Sequence, residues 1–470
     1  MLNPVTDSLI DRLRRGLGEK GVREVAQRYL EEPRGRWRGQ AGIVVAPDTT
    51  DGVAEVVRLA AEARVAVVPY GGGTGLVGGQ VMPDGPAPIV LSLERMNRIR
   101  GVYPQENTLV AEAGTTLAAV QAAAEEAGRL FPLSYASEGT ATIGGALAVN
   151  SGGLNVLRYG TARDLALGIE AVMPSGDIFH GLRRLRKDNT GYDLRHLLIG
   201  SEGTLGIITA ASLRLAPRPA KVATALLVVP GPEAALSLLT ETMARAEGTI
   251  SAFEIISGAG FDFLAETGLK VHRPFAETPD WSVLVEICTG PSRDPQAFLE
   301  ELFADAFENG LASDGVIAAS EAQRRDLWHI RETIPEANRL IGAISSHDIA
   351  LPLTEVAGFI AEAGAALAGR VPLRINAFGH LGDGNLHYNI FPPEGRRAAE
   401  FADLREDLAR LVYDIVVARG GSISAEHGVG RLKPAEIARY GDPARLSAMR
   451  AIKAALDPAG IMNPGAVLPP

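Results

Sequence analysis

The sequence holds one cysteine, Cys288, among 470 residues. A single cysteine excludes an intrachain disulfide and a cysteine-rich zinc or iron–sulfur centre, so a reducing compartment fits and any metal site must use histidines and carboxylates. Uninterrupted apolar runs are also short, and none approaches the roughly 18 residues that a membrane-spanning helix needs. We therefore expect a cytoplasmic protein without a membrane-embedded segment.

Positive charge is in deficit as well, because 46 Lys and Arg residues stand against 56 Asp and Glu residues, for a net charge of −10. This balance disfavours a broad nucleic-acid-binding surface, and an anionic substrate would need a local cationic site. Hydrophobic residues make up 46% of the chain and charged residues 22%, values typical of globular rather than disordered proteins. The length predicts roughly two or three domains.

Glycine, in contrast, is abundant, with 53 residues gathered in short blocks. The first block, GGGTGLVGG, follows the predicted buried strand 65–70, and residues 73–78 match the dinucleotide pattern G-x-G-x-x-G. That pattern should open a helix, but Pro83, Pro86 and Pro88 follow at once, which argues against a nicotinamide-binding Rossmann unit. The block is then either a plain glycine turn or a loop whose successive N–H groups cradle a pyrophosphate.

Apolar periodicity and turn residues predict alternating helices and strands along the chain. We predict helices at 232–246 and 296–309, a strand at 281–287 and a strand-turn-strand unit over 197–215. The segment APRPA, residues 216–220, is typical of a domain boundary. The prediction is an α+β protein with a first domain over 1–218, a second over 219–455 and a C-terminal segment over 456–470.

Histidines are few enough to consider one by one, since the chain has eight. Residues 372–391 are predicted to form a β-hairpin that brings His380 and His387 together on adjacent strands. Two imidazoles leave room for a carboxylate and an open position on zinc or another divalent metal, and SAEHGVG supplies Glu426 and His427. These two neighbours can serve one site only where the chain departs from a strand, because adjacent strand residues point to opposite faces. Each histidine taken alone also fits a structural role.

Four segments carry a resemblance to a known family: PYGGGTGLVGG (69–79), EGTATIGGALAVNSGG (138–153), LRYGTARDLALGIEAVMPSGD (157–177) and KDNTGYDLRHLLIGSEGTLGIIT (187–209). They closely resemble the FAD-binding domain of vanillyl-alcohol-oxidase-type flavoproteins, and most closely its D-2-hydroxyacid dehydrogenase branch. The resemblance implies a two-subdomain FAD-binding domain followed by an α+β substrate domain with an antiparallel sheet. The residues that it assigns to FAD are Pro69, Tyr70, Gly71, Gly72, Gly73, Thr74, Gly75, Leu76, Gly139, Thr142, Ile143, Gly144, Gly145, Asn150, Gly152, Gly153, Glu202, Gly203, Gly206, Ile207 and Asn463. Noncovalent FAD is expected, because the first loop offers no histidine for a covalent link.

The C-terminal half matches the same family, because GHLGDGNLHYN (379–389) and EHGVG (426–430) are similar to its FAD-linked oxidase domain. The tail motif NPGAVLP, within 456–470, also fits and is expected to return to the flavin. By resemblance, the metal ligands are His380, His387 and Glu426, with zinc expected, the general base is His427, and the polar substrate contact is Asn389.

Arg331, in LWHIRETIPEAN, resembles the family arginine that binds the substrate carboxylate, and its fixed charge and bidentate geometry suit that role. The alternative is a surface helix arginine paired with Glu332 or Glu336. Relatives specific for D-2-hydroxyglutarate bind the distal carboxylate with a threonine and a lysine, where this chain has Pro335 and Ser346. The substrate therefore stays open among several D-2-hydroxyacids.

The resemblance implies an FAD- and metal-dependent dehydrogenase. It would oxidise D-2-hydroxyglutarate, D-lactate, D-malate or another D-2-hydroxyacid to the 2-oxoacid by hydride transfer from C2 to flavin N5. An electron-transfer flavoprotein or a quinone is the expected acceptor, and a homodimer is the family expectation. Three alternatives stay open: a glycolate or D-lactate oxidase, a noncatalytic flavoprotein subunit of an electron-transfer complex, and a metal hydrolase with purely structural glycine loops.

Overall fold

The computed structural model describes residues 1–369 and 372–469. The chain divides into two compact units. The first unit comprises Met1–Gly153, Gly160–Arg218 and Glu426–Pro470, and the second comprises Leu154–Tyr159 and Pro219–Ala425. The chain thus passes into the second unit after Arg218 and returns to the first at Glu426, whereas the sequence analysis begins its C-terminal segment only at residue 456.

Several helices begin at polar capping residues. In the helix Thr50–Ala63, the Thr49 hydroxyl accepts a hydrogen bond from the Gly52 N–H, and Arg64 ends the helix in a left-handed conformation with φ 54°. In chain order the described α-helices are α1 (Asp7–Leu17), α2 (Thr50–Ala63), α3 (Leu117–Glu126), α4 (Ile143–Val149), α5 (Val156–Tyr159), α6 (Ala162–Leu165), α7 (Leu194–Leu198), α8 (Pro232–Ala246), α9 (Gly258–Glu266), α10 (Pro295–Glu308), α11 (Glu321–Ile341), α12 (Val356–Ala368), α13 (Arg405–Ala418), α14 (Pro434–Tyr440) and α15 (Pro443–Leu456).

Strands form three larger sheets and one two-stranded ribbon in the part of the chain that the structure describes. In chain order they are β1 (Val22–Arg23), β2 (Ile43–Val45), β3 (Val67–Tyr70), β4 (Ile89–Ser92), β5 (Ile99–Tyr103), β6 (Thr108–Glu112), β7 (Arg129–Leu130), β8 (Ala166–Val172), β9 (Ile178–Gly181), β10 (Ile207–Arg214), β11 (Ala216–Pro217), β12 (Lys221–Val228), β13 (Ile250–Ser257), β14 (Trp281–Thr289), β15 (Asp314–Ile317), β16 (Ser345–Ala350), β17 (Arg374–Gly379) and β18 (Asn385–Phe391). The ribbon pairs β7 with β11.

The first unit contains a four-stranded sheet in the order β1-β2-β4-β3. Its strands β2, β4 and β3 run parallel, and α2 forms the crossover from β2 to β3 that a parallel arrangement requires. Buried side chains of α1 and α2, among them Leu13, Val53 and Val57, pack in one core with the strands. The first glycine block therefore leaves the carboxyl end of a parallel strand, which is where ligands bind in such sheets.

A second sheet of the first unit is antiparallel, in the order β5-β6-β10-β8-β9. Its central strand β10 is buried over most of its length. The first unit thus has a parallel-centred part and an antiparallel part, which agrees with the two-subdomain FAD-binding domain that the resemblance implies.

The second unit is built on one seven-stranded antiparallel sheet in the order β15-β12-β14-β13-β17-β18-β16. Helices α9 and α11 pack on it through apolar residues such as Phe263, Trp328 and Ile334. The predicted hairpin is present as β17 and β18, and Gly384 supplies the left-handed residue of its connection with φ 77°. The prediction of an α+β fold with an antiparallel second sheet is confirmed.

Most of the predicted elements are confirmed, including α8, α10 and β14. The first glycine block does not open a helix, as its prolines predicted. The strand-turn-strand prediction for 197–215 is wrong in its first half, because Asp193 accepts the His196 N–H at 3.1 Å and caps the helix α7 instead. Among the described residues, no helix is long and apolar enough to cross a membrane.

Candidate functional site

The first glycine loop, residues 71–80, packs against the second glycine segment. A Cβ at Gly72 would overlap the Thr140 carbonyl oxygen, and one at Gly71 would lie 2.8 Å from the Thr142 hydroxyl. Glycine is therefore required for the two backbones to approach each other. The same lack of side chains gives a phosphate group access to backbone N–H groups, so the loop fits a pyrophosphate cradle.

The second glycine segment contains the helix α4, which the sequence analysis did not predict. Thr142 caps its first turn, and Gly144 lets it approach the end of β6, since a Cβ there would lie 2.7 Å from the Ala113 Cβ. Asn150 ends the helix in a left-handed conformation, and its side-chain oxygen accepts the Arg163 N–H at 2.9 Å. The local fold therefore explains these residues in part without a ligand.

Glu202 is a buried residue of the fourth segment, 187–209. Its N–H donates to the Ala148 carbonyl of α4 at 2.8 Å. Its carboxylate oxygens accept the N–H of Val429 at 2.7 Å and the N–H of Gly430 at 2.8 Å. Burial raises the pKa of Glu202 to about 7, and the two backbone hydrogen bonds offset only part of that effect.

The residues after His427 are tied to the first glycine loop and to the tail. The Arg431 N–H donates to the Val77 carbonyl at 2.8 Å, and its guanidinium donates to the Gly79 carbonyl at 3.2 Å and to the Asn463 side-chain oxygen at 2.9 Å. The Asn463 amide nitrogen in turn donates to the carbonyls of Gly79 at 3.0 Å and Glu202 at 2.8 Å. Three predicted flavin segments and the tail thus meet within the first unit.

At some of the positions predicted to bind FAD, the packing of the protein by itself explains which residue is present. Gly153, with φ 123°, lies where a Cβ would overlap the Ser134 carbonyl, so packing alone requires glycine there. At Gly139, by contrast, a Cβ would meet open space. Direct contact of each residue with FAD stays a prediction, while the backbone-lined loops fit the cofactor.

In the second unit, the hairpin brings His380 and His387 together. Their ring centroids lie 5.6 Å apart, with planes at 78°. His387 faces Phe378 across the β17–β18 pair, and both histidine side chains are largely buried. Two neighbouring imidazoles in a protected setting fit a divalent transition metal, and their role as ligands stays a prediction.

Glu254, on β13, holds the first of these histidines. Its carboxylate lies 2.6 Å from His380 Nδ1 and accepts a hydrogen bond from Arg331 Nε at 2.8 Å. Burial by itself raises the pKa of Glu254, whose side chain is 1% exposed, but the charges of His380 and Arg331 outweigh burial and hold that pKa at about 2. The sequence analysis missed Glu254, although a lone glutamate in the otherwise apolar strand ISAFEIIS is a usable signal.

Arg331 is buried on α11 rather than exposed, so the alternative of a surface arginine is wrong. Its guanidinium carbon lies 4.8 Å from the centre of the Phe378 ring. Glu336, which the surface alternative offered as a partner, is paired with Arg339 instead. A buried cation held through Nε keeps its two terminal nitrogens for a second anion, and this geometry suits a substrate carboxylate.

Asp348 adds a carboxylate that the sequence analysis did not assign to the site. Its Oδ1 lies 3.8 Å from His387 Nδ1 and accepts a hydrogen bond from the Asn385 amide at 2.9 Å. The Asp348 carbonyl accepts the N–H of Ala425, the last residue of the second unit, at 3.3 Å. Asn389 is buried on β18, two residues after His387, and therefore on the same face of the sheet.

Glu426 and His427 open the last part of the first unit. The segment around them forms no strand, and Gly428 has φ 82°. His427 Nε2 lies 3.7 Å from the Glu426 carboxylate. The alternation of a strand therefore does not force these two side chains to opposite faces, which removes the obstacle that the sequence analysis identified.

Two family models match the chain. The FAD binding domain matches residues 41–181, and the C-terminal domain of FAD linked oxidases matches residues 218–467. The chain is 18% identical to p-cresol methylhydroxylase with substrate bound, with a TM-score of 0.77 over 99% of this chain and 98% of that one. It is also 18% identical to 4-ethylphenol oxidase from Gulosibacter chungangensis, with a TM-score of 0.74 and the same coverage. These likenesses confirm the vanillyl-alcohol-oxidase-type fold.

Curated relatives match along nearly the whole chain. The mitochondrial D-2-hydroxyglutarate dehydrogenase of Bos taurus is 37% identical over 94% of this chain and 80% of its own length. The mitochondrial D-2-hydroxyglutarate dehydrogenase of Arabidopsis thaliana is 36% identical over 99% of this chain and 83% of its own length. The D-2-hydroxyglutarate dehydrogenase of Xanthomonas citri pv. viticola is 36% identical over 92% and 90%.

These comparisons also correct one expectation. The prediction of a cytoplasmic protein is wrong, because several eukaryotic relatives are named as mitochondrial enzymes. A low cysteine count reports a reducing setting, which several compartments share, and so it could not identify one of them. The motifs, the two matching domain models and the relatives agree on one conclusion: the chain belongs to the family of FAD-dependent D-2-hydroxyacid dehydrogenases that includes the D-2-hydroxyglutarate dehydrogenases.

Proposed function

We propose that this chain oxidises D-2-hydroxyglutarate to the 2-oxoacid with noncovalent FAD and a divalent metal. Relatives named for this substrate are similar along almost its full length. D-lactate, which lacks a second carboxylate, remains an alternative, because His347, beside Ser346, is turned to the Tyr388 carbonyl at 2.7 Å and to the Ser345 hydroxyl at 3.0 Å. A histidine engaged in this way adds little to the binding of a second substrate carboxylate. D-malate, a shorter dicarboxylate, is the other alternative.

The observation that carries this proposal is the bridge that Glu254 makes between His380 and Arg331. One buried carboxylate fixes both a candidate metal ligand and a candidate substrate-binding cation. A 2-hydroxyacid needs both groups at a constant separation, since its carboxylate and α-hydroxyl are adjacent. In this proposal the terminal nitrogens of Arg331 bind the substrate carboxylate, and Asn389 contributes a polar contact.

The metal site is proposed at His380, His387 and Glu426, with zinc as the first candidate. Glu254 is the carboxylate partner of His380 at Nδ1, and a carboxylate partner of this kind is typical of histidines that bind a metal. Asp348 lies 3.8 Å from His387 Nδ1 and offers a further oxygen donor. When bound, the metal would neutralise substrate charge and lower the pKa of the α-hydroxyl.

FAD is proposed to bind along the glycine loops of the first unit. The close approach of residues 71–72 to Thr140 leaves a backbone-lined surface suited to a pyrophosphate. When bound, FAD supplies the acceptor for the hydride that leaves the substrate. His427 is proposed to take the hydroxyl proton, because an imidazole nitrogen is the most frequent general base in enzymes.

Anaerobic titration of the flavin absorbance tests this proposal. Purified protein would receive the D- and L-forms of 2-hydroxyglutarate, malate and lactate, with and without a chelator. Bleaching by D-2-hydroxyglutarate that the chelator suppresses is the expected result. Bleaching by D-malate or D-lactate alone would overturn the choice of substrate, and a yellow protein that none of the acids bleaches would favour a noncatalytic subunit. A colourless protein that gains no absorbance with FAD would overturn the flavin assignment.

The residue roles need separate variants. His387→Ala should lose bound metal and keep FAD, whereas His329→Ala, on the exposed face of α11, is the matched control and should keep both. His427→Ala should keep FAD and metal and lose about 10² to 10⁴ in the rate of anaerobic flavin reduction. Peroxide formation in air at the turnover rate would identify an oxidase. An electron-transfer flavoprotein, a quinone and oxygen can then be compared as acceptors in the same assay.

A further inference from the structure

We propose that Glu202 is a positioning residue for the base of this enzyme. It holds residues 426–431, which we call the histidine loop, so that His427 keeps one orientation. This inference rests on the proposed role of His427 and adds a function to a glutamate that the sequence assigns only to the flavin. It concerns residues of the first unit alone.

The carboxylate of Glu202 closes the histidine loop at two consecutive peptide groups. One oxygen accepts the N–H of Val429 at 2.7 Å and the other accepts the N–H of Gly430 at 2.8 Å. Only a carboxylate offers two equivalent acceptors in this spacing, because an amide would present a donor to one of the two N–H groups. The two N–H groups belong to the second and third residues after His427. Hydrogen bonds at these positions fix the peptide planes that determine the direction of the His427 side chain.

Two glycines of the histidine loop are explained by close packing, one against Glu202 and the other against the first glycine loop. A Cβ at Gly428 would lie 2.9 Å from the Glu202 carboxylate, and a Cβ at Gly430 would overlap the Val77 carbonyl. Both glycines also have positive φ, at 82° and 51°. The loop is therefore shaped to receive a glutamate side chain on one side and the first glycine loop on the other.

Glu202 is itself held firmly, which a positioning residue needs to be. Its N–H donates to Ala148 of α4, and its carbonyl accepts the Asn463 amide at 2.8 Å. Its backbone is left-handed, with φ 51°, a conformation that persists in a glutamate only where the surroundings enforce it. Glu202 thus connects α4, the tail and the histidine loop, so that any shift of these segments is passed to His427.

The buried charge has counter-charges close by. The positive charges of Lys433 and Arg431 favour the ionised form of Glu202, and Lys433 is itself buried. Arg431 anchors the end of the histidine loop to the first glycine loop through Gly78 and Gly79. The histidine loop is consequently attached at its centre by Glu202 and at its end by Arg431.

The test compares Glu202→Gln and Glu202→Asp with Ser201→Ala. Ser201 lies in the same turn, and its hydroxyl donates to the Leu198 carbonyl at 2.8 Å, so its loss controls for local stability alone. Glu202→Gln keeps the size of the side chain but turns an amide donor towards one of the two N–H groups. Glu202→Asp keeps the charge, but its shorter side chain should lose at least one of the two hydrogen bonds.

The expected kinetic result is a fall in the anaerobic flavin-reduction rate of about tenfold to a hundredfold in Glu202→Gln, with KM changed little and FAD content retained. Glu202→Asp should fall between Glu202→Gln and the unchanged protein, while Ser201→Ala should keep its rate. A normal rate in Glu202→Gln would overturn the inference. Loss of FAD in parallel with activity would overturn it too, since Glu202 would then act on the flavin.

Hydrogen exchange separates this inference from the proposed function. The amides of Val429 and Gly430 should lose protection in Glu202→Gln and keep it in Ser201→Ala, whether or not the protein oxidises any hydroxyacid. Unchanged protection would overturn the positioning role. One outcome separates the two proposals. If no acid bleaches the unaltered protein but the Val429 and Gly430 amides lose protection in Glu202→Gln, the proposed function is overturned and the contact of Glu202 with the histidine loop is confirmed.

Discussion

Two buried glutamates, one in each unit, have pKa values that are shifted in opposite directions. Glu202 accepts two backbone N–H groups, and burial still raises its pKa to about 7. Glu254 is buried at least as deeply, yet His380 and Arg331 hold its pKa at about 2. The difference lies in the partners, because a pair of peptide dipoles compensates a buried charge less well than an arginine and a histidine do.

The comparison shows how each carboxylate serves its site. Glu254 is held in the ionised form and can hold both Arg331 and His380 without titrating near neutral pH. Glu202, with a pKa of about 7, changes its charge near neutral pH. The role of Glu254 is therefore tested by removing its charge, and that of Glu202 by changing the pH.

The largest effect is expected when the charge of Glu254 is removed. Glu254→Gln would leave Arg331 buried without its counter-charge, and unfolding stability should fall by about 3 to 5 kcal/mol. Urea unfolding measures this loss. The control is Glu266→Gln, whose ion pair with Arg374 is partly exposed and should contribute less than about 1 kcal/mol. Equal losses in the two variants would contradict the buried charge pair.

A second effect is expected in the pH dependence of stability. The folded-state pKa of Glu202, about 7, lies above its ordinary value of 4.5, so the folded state binds more protons and stability falls as pH rises from 4.5 to 7. The shift corresponds to about 3 kcal/mol. Glu254, with a pKa of about 2, stabilises the fold above pH 4.5 and loses that contribution as pH falls towards 2.

Urea unfolding at pH 5 and pH 8 checks this contrast. The unaltered protein should lose more stability across this interval than Glu202→Gln, which cannot ionise. Ser201→Ala should follow the unaltered protein, because the titrating group is intact. Identical pH dependence in all three proteins would mean that Glu202 is ionised throughout the interval.

A third, smaller effect is expected at a glycine of the histidine loop that packs against the first glycine loop. Gly430→Ala should destabilise the protein by about 1 to 3 kcal/mol more than Gly420→Ala, because overpacking adds to backbone strain. Both glycines have positive φ, but a Cβ at Gly420 meets no atom within 4 Å, whereas one at Gly430 overlaps the Val77 carbonyl. Thermal unfolding of the two variants gives the difference. An equal loss of stability in the two variants would show that the positive φ, and not the overlap with the Val77 carbonyl, sets the cost at Gly430.

The smallest effect is expected for an ion pair outside the interior. Arg339 pairs with Glu336 on the exposed side of α11. Arg339→Ala should leave the thermal midpoint unchanged, since a solvated pair adds almost nothing to stability. A clear fall in the midpoint would show that exposed pairs matter in this protein as well, and would weaken the contrast with Glu254.

The candidate histidines and glycine loops could be predicted because their signals are local. The hairpin 372–391 alternates apolar residues around a glycine-containing turn, and this pattern brings His380 close to His387. The prediction of adjacent strands is right for His387 on β18 but wrong for His380, because β17 ends at Gly379 and His380 begins the connection. The glycine blocks similarly follow predicted strands. Glu254 was missed for the opposite reason, since its partners lie 77 and 126 residues further along the chain. A buried strand such as ISAFEIIS indicates that its glutamate needs a partner but does not indicate which one.

The sequence by itself determined the α+β class, the glycine loops and the hairpin of histidines, because each follows from periodicity, turn residues or motif spacing over a few dozen residues. Tertiary structure decided that Arg331 is buried against Glu254. It also decided that Glu202 accepts a hydrogen bond from Val429 of the histidine loop, 227 residues away. The charge state of a carboxylate depends on which dipoles and cations surround it after folding. The local sequence pattern predicts the helices and strands. The packing of the folded interior selects the dipoles and cations that set the pKa of each buried carboxylate.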